Sequence, residues 1–402
     1  MTTVDHPVTT DVPDSATDIL AAVRALAPRL RERAPEIEQQ RRLPLDVVEQ
    51  LRAAGVFRMG FAREFGGADL TSMEQTRIIE VLAHADPSVG WCAMIGMDGG
   101  LYSAFLEPSA VRAVFPNADS ITAGFVSPIG RADRVSGGYR LSGRWPLGSG
   151  ITHADVVSAG ALTYTDGEQD CSANGNPNWL VMLVSSNQVE LIDTWHTTGL
   201  AGSGSQDYTI TDVFVPEEHT FNFSRPKSRS GAMAAPDTLM RKMAGVPLGT
   251  ARAALDYTRE FAALKHNKAT GERWADDYRV QFTLGRCEME YLTLRHAVYG
   301  SLEHKWSTLE SGATYDDLTA DERVGSVLIA LNAFRGSLAI VRSLYDLLAT
   351  GSIYKPSPMD RWLRDLTTMC QHVMAQDVIM QSAGASFLGG EPRFPFAVGI
   401  TE

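Results

Sequence analysis

Several functional classes are excluded by what this sequence has little of. Its 402 residues hold four cysteines, Cys92, Cys171, Cys287 and Cys370, far apart and with no C-x-x-C pair. Neither a disulfide scaffold nor a zinc knuckle is encoded, and free thiols in a reducing cytoplasm are expected. None of the nine histidines lies in an H-E-x-x-H, and His153 with Asp155 reads as a strand-end pair, so no metal site is expected. No G-x-G-x-x-G links a strand to a helix and no glycine run ends in Gly-Lys-Ser/Thr, which leaves no NAD(P)H fold and no P-loop. Positive charge is in deficit: 36 Lys and Arg stand against 48 Asp and Glu, a net charge of −12. That balance opposes binding to nucleic acid or to an anionic membrane, both polyanions. The start "MTTVDHPVTTDVPDSATD" has no apolar leader, and no apolar run reads as long enough to span a bilayer. The expectation is a cytoplasmic protein with residues 1–15 disordered, whose partners are small molecules and proteins.

What is present is a core-forming composition, 44% hydrophobic and 21% charged, enough for two or three domains. Three zones follow. From about Ala16 to Phe115 the apolar spacing is helical, as in "ATDILAAVRALAPRLRERAPEIEQQ". From about Ile121 to Phe223 the period is two, in short segments such as "GGYRLSGRW" and "NWLVMLVSS" broken by Gly, Asn and Asp, which predicts a small antiparallel β domain. From about Asp237 the helical period returns over 237–265, 275–307, 320–349 and 359–388, predicting a four-helix bundle with a kink or break at Pro247. The fold class expected is mostly α with a central β domain. Its parts are a helical domain over 16–118, a small β-barrel or sandwich over 119–228, and a helical bundle over 229–402.

One stretch, "TTGLAGSGSQDYTITDVFVPEEH" (197–219), suggests a phosphate loop by its glycines. Yet Gly199, Gly202 and Gly204 read G-x-x-G-x-G, and Tyr208, Ile210, Val213 and Val215 after them describe a strand, so no helix N-terminus faces the turn.

The order of zones and several segments resemble the acyl-CoA dehydrogenases. "LPLDVVEQLRAAGVFRMGFAREFGGADL" is similar to their N-terminal segment and "GGYRLSGRWPLGSGITHAD" to their flavin-proximal strand. "GLAGSGSQDYTITDVFVPEEH" is similar to their glycine turn, and "GVPLGTARAALDYTREFA" to the first helix of their bundle. Dehydrogenation needs a carboxylate to take the α-proton. Neither family position supplies it: after "WLRD" the chain runs to Gln371, His372 and Val373, and the alternative position holds Arg241 and Lys242. "GRWPLGSGITHAD", "DTWHTTGLAGSGS" and "SPMDRWLRDLTTMCQH" instead resemble the flavin-dependent monooxygenases of the same fold, oxygenase components of the p-hydroxyphenylacetate hydroxylase type. An acyl-CoA dehydrogenase with a relocated carboxylate, or a flavin-fold protein without redox activity, are the alternatives.

The resemblance implies reduced FMN or FAD from a separate NAD(P)H-flavin reductase. It further implies O2, a flavin C4a-hydroperoxide, an aromatic, heteroaromatic or amine substrate, and a homotetramer. It implies His372 and Ser149 as catalytic hydrogen-bonding groups, with Phe125, Ser127, Trp145, Ser149, Thr197 and Thr198 around the flavin. On helical spacing, Arg361, Asp365, Thr368, His372 and Gln376 share one face, which the resemblance turns toward the flavin cleft. His153 is expected at a strand end away from it.

Overall fold

The computed structural model describes residues 12–355 and 357–398, so most of the N-terminal stretch expected to be disordered lies outside the described residues. The first zone is helical: α1 (Ala16–Gln40), α2 (Leu45–Ala53), α3 (Ser72–Ala85), α4 (Pro87–Gly96) and α5 (Pro108–Val114). Local chemistry sets their starts. Ser15 caps α1 through the Asp18 amide, and Thr71 with Glu74 forms a capping box on α3. Asp86 accepts from the Val89 amide at 3.0 Å and Pro87 opens α4, where its missing N–H costs nothing. Helix α4, "PSVGWCAMIG", is buried nearly all round.

The second zone is one sheet of β1 (Thr122–Val135), β2 (Gly138–Gly148), β3 (Val156–Thr165), β4 (Glu168–Gln169), β5 (Trp179–Ser185), β6 (Glu190–Ile192), β7 (Gln206–Pro216) and β8 (Thr220–Phe221). The strand order is β6-β7-β2-β1-β3-β5-β8, with β4 on β3. The expectation of a purely antiparallel domain is corrected: β1 runs parallel to β3, because the short 3-10 turn after β2 returns the chain past β1. Pairing breaks inside β1, where Phe125 faces Ala159 and Gly130 faces Ala161. Residues 126–129 therefore bulge out of the ladder.

The third zone holds α6 (Gly245–Leu264), α7 (Tyr278–Glu310), α8 (Ala320–Leu348), α9 (Met359–Met369) and α10 (Asp377–Phe387). Three expectations are corrected here. The first bundle helix starts at Gly245, not 237: the helical turn at Thr238–Arg241 breaks into a 3-10 turn at Lys242–Ala244, and Pro247, in the first turn of the helix that follows, sits at the expected break without losing a helical bond. The fourth is two helices, broken over residues 370–376. A third correction concerns α8, which is long and apolar enough to cross a membrane by length and composition. It packs instead among α6, α7, α9 and α10.

One apolar core joins α1–α4 to the bundle, from Ile19 and Leu82 to Leu248, Phe334 and Leu366. Polar locks cross it. Glu80 of α3 accepts from Tyr291, Arg295 and Tyr299 of α7 at 2.7–3.1 Å. Lys242 pairs with Asp98, and Asp237 pairs with Arg241 and Lys305, all five buried. These cations offset the cost of burying carboxylates.

Candidate active site

The glycine stretch, the end of β2, α4 and the break after α9 meet at one place. Strand β2 ends in a turn with Leu147 at φ 61° and Gly150 at φ 73°, which puts the buried Ser149 between two left-handed residues. The Gly150 amide donates to the Ser203 carbonyl at 2.8 Å, tying this turn to the glycine stretch. That stretch is itself tight, with Leu200 at φ 50°, a 3-10 turn over Ala201–Ser203 and Gly204 at φ 56°. Glycine is required at position 199, where any side chain would collide with the Arg364 carbonyl, and at 202, which lies on Ile37. The Leu200 amide donates to Asp365 Oδ1 at 2.6 Å, and the Ser203 and Gly204 amides bond back to Leu200 and Ala201. These three amides are thereby committed inside the protein, and the turn holds its side chains in place.

Those side chains are serines. Trp91 Nε1 donates to Ser149 Oγ at 3.0 Å, Ser149 Oγ lies 2.7 Å from Ser205 Oγ, and Ser205 Oγ lies 2.7 Å from Ser203 Oγ. Ser203 donates to the Leu200 carbonyl at 2.7 Å. Beneath the loop, burial, with the Asp86 carboxylate adding to it, raises the Asp365 carboxyl to about 7, and burial also raises Asp86. Asp365 is held there by the Leu200 amide, and Asp86 by its cap on α4.

His372 is not on a helical stripe. Helix α9 ends at Met369, so Arg361, Asp365 and Thr368 share it while His372 and Gln376 belong to the break. The break places His372 against Trp91, ring centroids 5.6 Å apart and nearly perpendicular. Burial lowers its pKa to about 4, so at neutral pH the ring is uncharged. Nδ1 accepts the Met374 amide hydrogen at 3.3 Å. The proton therefore sits on Nε2, and His372 presents an N–H donor.

The other expected residues divide. Trp145 is 0% exposed, its Nε1 donates to the Gly160 carbonyl at 2.8 Å, and it stacks on Tyr208. It fills the β-domain core under the β1 bulge, against Gly130 and Gly143. Phe125 and Ser127 stand at the bulge, Phe125 partly buried with its amide donating to the Tyr208 hydroxyl at 2.9 Å, and Ser127 exposed. Thr197 is partly buried and bonds Gly199 through Oγ1 at 2.9 Å, while the exposed Thr198 offers its carbonyl to Arg364. His153 lies just past the end of β2, the strand end expected for it. It sits in the 3-10 turn after β2 with its ring against Gly150, beside the Ser149 turn. Burial lowers its pKa to about 4, and its Nε2 has no partner.

Sequence reasoning missed Trp91, Ser203 and Ser205 as members of this cluster; it had Asp365 on the face turned toward the site, without its bond to the Leu200 amide. Trp91 is invisible because α4 is apolar all round and carries no face signal. The two serines were legible only as turn residues, since the partner that joins them to the site, Ser149, lies 56 positions before Ser205.

The chain matches the acyl-CoA dehydrogenase N-terminal domain over residues 13–106 and the acyl-CoA dehydrogenase C-terminal domain over 242–377. It is 31% identical over 389 residues to the indole-3-acetate monooxygenase of Pseudomonas putida, covering 94% of this chain and 96% of that one. It is 28% identical to the oxygenase component of the FADH(2)-dependent resorcinol hydroxylase of a Rhizobium species, covering 93% and 95%. Among solved structures it superposes on XiaF from Streptomyces, in complex with FADH2 and glycerol, with a TM-score of 0.85 at 24% identity over 94% of this chain and 96% of that one. Full-length similarity to monooxygenases, together with the absence of a glutamate at either dehydrogenase position, decides between the two branches of the fold. The chain belongs to the flavin-dependent monooxygenases of the acyl-CoA dehydrogenase fold.

Proposed function

We propose that the protein is the oxygenase half of a two-component system, taking reduced FMN or FAD from a separate NAD(P)H-flavin reductase and oxygenating a small aromatic or heteroaromatic ring. The observation that carries this reading is the junction of His372, Trp91 and Ser149, a neutral N–H donor, an aromatic ring and a hydroxyl in mutual contact. The residues present fit a flavin. The bulge at 126–129 leaves backbone donors and acceptors outside the sheet ladder, as the edge of a pyrimidine ring requires, with Phe125 and Ser127 beside them. Thr197 and Thr198 flank the same cleft on the glycine loop. Ser149 has a lone pair to meet the N5–H of a reduced isoalloxazine.

Bound reduced flavin would supply the chemistry of O2 activation. The chain's own work is to exclude water, orient the ring and hold a proton. Trp91 and the buried serines close one wall, and His372 keeps its proton at Nε2 for an oxygen atom in the cleft. A role as base at that atom would require the other tautomer and the loss of the Met374 bond. The dehydrogenase alternative finds no carboxylate at its two family positions, and Arg241 and Lys242 at the second are bound to Asp237 and Asp98.

The test is a panel of phenolic and indolic compounds incubated with the protein, a general flavin reductase, NADH and FMN or FAD, with products read by mass spectrometry. One added oxygen atom, dependent on the reductase, is expected. Rapid NADH oxidation without a reductase, or desaturation of an acyl-CoA, would overturn the reading.

A further inference from the structure

The serine chain has a direction. Ser203 Oγ lies 2.7 Å from the Leu200 carbonyl oxygen, which can only accept, so the Ser203 proton is committed there. The 2.7 Å contact between Ser205 and Ser203 then takes the Ser205 proton, and the 2.7 Å contact between Ser149 and Ser205 takes the Ser149 proton. From the other side Ser149 Oγ already accepts from Trp91 Nε1 at 3.0 Å. A hydroxyl has one proton and two lone pairs, so Ser149 is left with one lone pair and no proton to offer. Trp91, Ser149, Leu200, Ser203 and Ser205 are all buried, none more than 8% exposed. The Leu200 carbonyl also accepts from Trp195 Nε1 and the Ser203 amide, each at 3.0 Å, so the cost of reversing the chain is the repulsion of two oxygen lone pairs 2.7 Å apart with no bulk water to relieve it.

We propose that Ser205 and Ser203 are positioning residues that make Ser149 an obligate acceptor, and that this polarity lets the site distinguish reduced from oxidised flavin. The inference rests on the reading above in which Ser149 meets flavin N5. Reduced isoalloxazine carries a hydrogen on N5 and donates, whereas oxidised N5 carries only a lone pair and accepts. An acceptor facing an acceptor in a buried site leaves both polar atoms unpaired, which costs on the order of tenfold or more in affinity. The site would then take flavin in the form a reductase delivers and release it once oxidised, with no movement of the backbone.

The experiment measures dissociation constants of the full-length protein for FMN and FAD, oxidised in air and dithionite-reduced without oxygen. The protein as isolated should bind the reduced form about tenfold or more tightly than the oxidised one. In Ser205→Ala the Ser149 proton loses its acceptor and is free to turn to N5, so oxidised flavin should tighten about tenfold and the preference collapse. Ser203→Ala, which frees the Ser205 proton to turn on Ser149, should act in the same direction and serves if the first variant is unstable. In a Ser149→Ala background, adding Ser205→Ala should change neither constant, since the group whose proton it redirects is gone. If Ser149→Ala alters the preference but Ser205→Ala and Ser203→Ala leave it intact, the polarity inference is overturned and the site reading stands. If folded Ser149→Ala itself leaves both constants unchanged, Ser149 does not meet the flavin and both fall.

Discussion

At the scale of single residues, His372 joins protonation to chemistry. Its pKa is about 4 in the fold against an ordinary 6.5, so between those values only the unfolded chain takes the proton. The stability this ring contributes is full above about pH 6.5 and is lost as pH falls toward 4; with a partly exposed edge it amounts to roughly 2 kcal/mol. Two results should follow. Product formed per flavin oxidised should stay flat from about pH 8 down to about pH 5.5, because the Nε2–H donor is unchanged over that range. His372→Ala should bind reduced flavin and consume O2 but lose product on the order of 10²- to 10⁴-fold, with hydrogen peroxide in its place. A His372→Ala variant that keeps its product yield within about twofold of the parent, far short of that range, would remove the histidine from the mechanism.

At the scale of elements, the site is held by a contact between a loop and a helix that are 165 positions apart. Gly199 lies on the Arg364 carbonyl and the Leu200 amide on Asp365, so α9 and the glycine stretch fit only if position 199 has no side chain. Gly199→Ala should push the loop off α9, lower the melting temperature by several degrees, about 1–3 kcal/mol for a forced contact, and weaken reduced-flavin binding. Gly167→Ala, in an exposed β-turn where nothing would meet the added carbon, controls for loss of glycine. It carries only the backbone strain of its positive φ. Equal loss of flavin affinity in both variants would contradict the link between loop seating and site. The β1 bulge and the break after α9 belong to the same scale: each ends a regular element where the cleft needs unpaired groups.

At the scale of the whole molecule, the bundle exposes more apolar surface than one subunit covers. Tyr278, Phe282, Met289 and Leu292, each half exposed or more, follow one another at helical spacing along α7. We predict a homotetramer by light scattering at micromolar concentration, with these faces between subunits. Met289→Asp combined with Leu292→Asp should shift the mass downward while circular dichroism stays helical; a monomeric parent protein would contradict the prediction.

The sequence by itself determined the three zones, the family and the positions that matter most. These depend on local patterns: period 3.6 or 2, turn residues, and short segments such as "GRWPLGSG" and "WLRDLTTMCQH" that resemble a known fold. It singled out Ser149 and His372, which both come to Trp91, but it put His372 on a continuous helix, because helical spacing continues through "TTMCQHVMAQ" while the backbone does not. Only the tertiary structure decided which way side chains face once elements meet. Trp145 went to the β core because its indole N–H found the Gly160 carbonyl, and His153 came to the Ser149 turn because Gly150 left room for its ring. Trp91, the serine chain and the Asp365 bond to the Leu200 amide were added by contacts between distant positions. No local pattern records them, since a hydrogen bond across 56 or 165 residues depends on how whole elements pack.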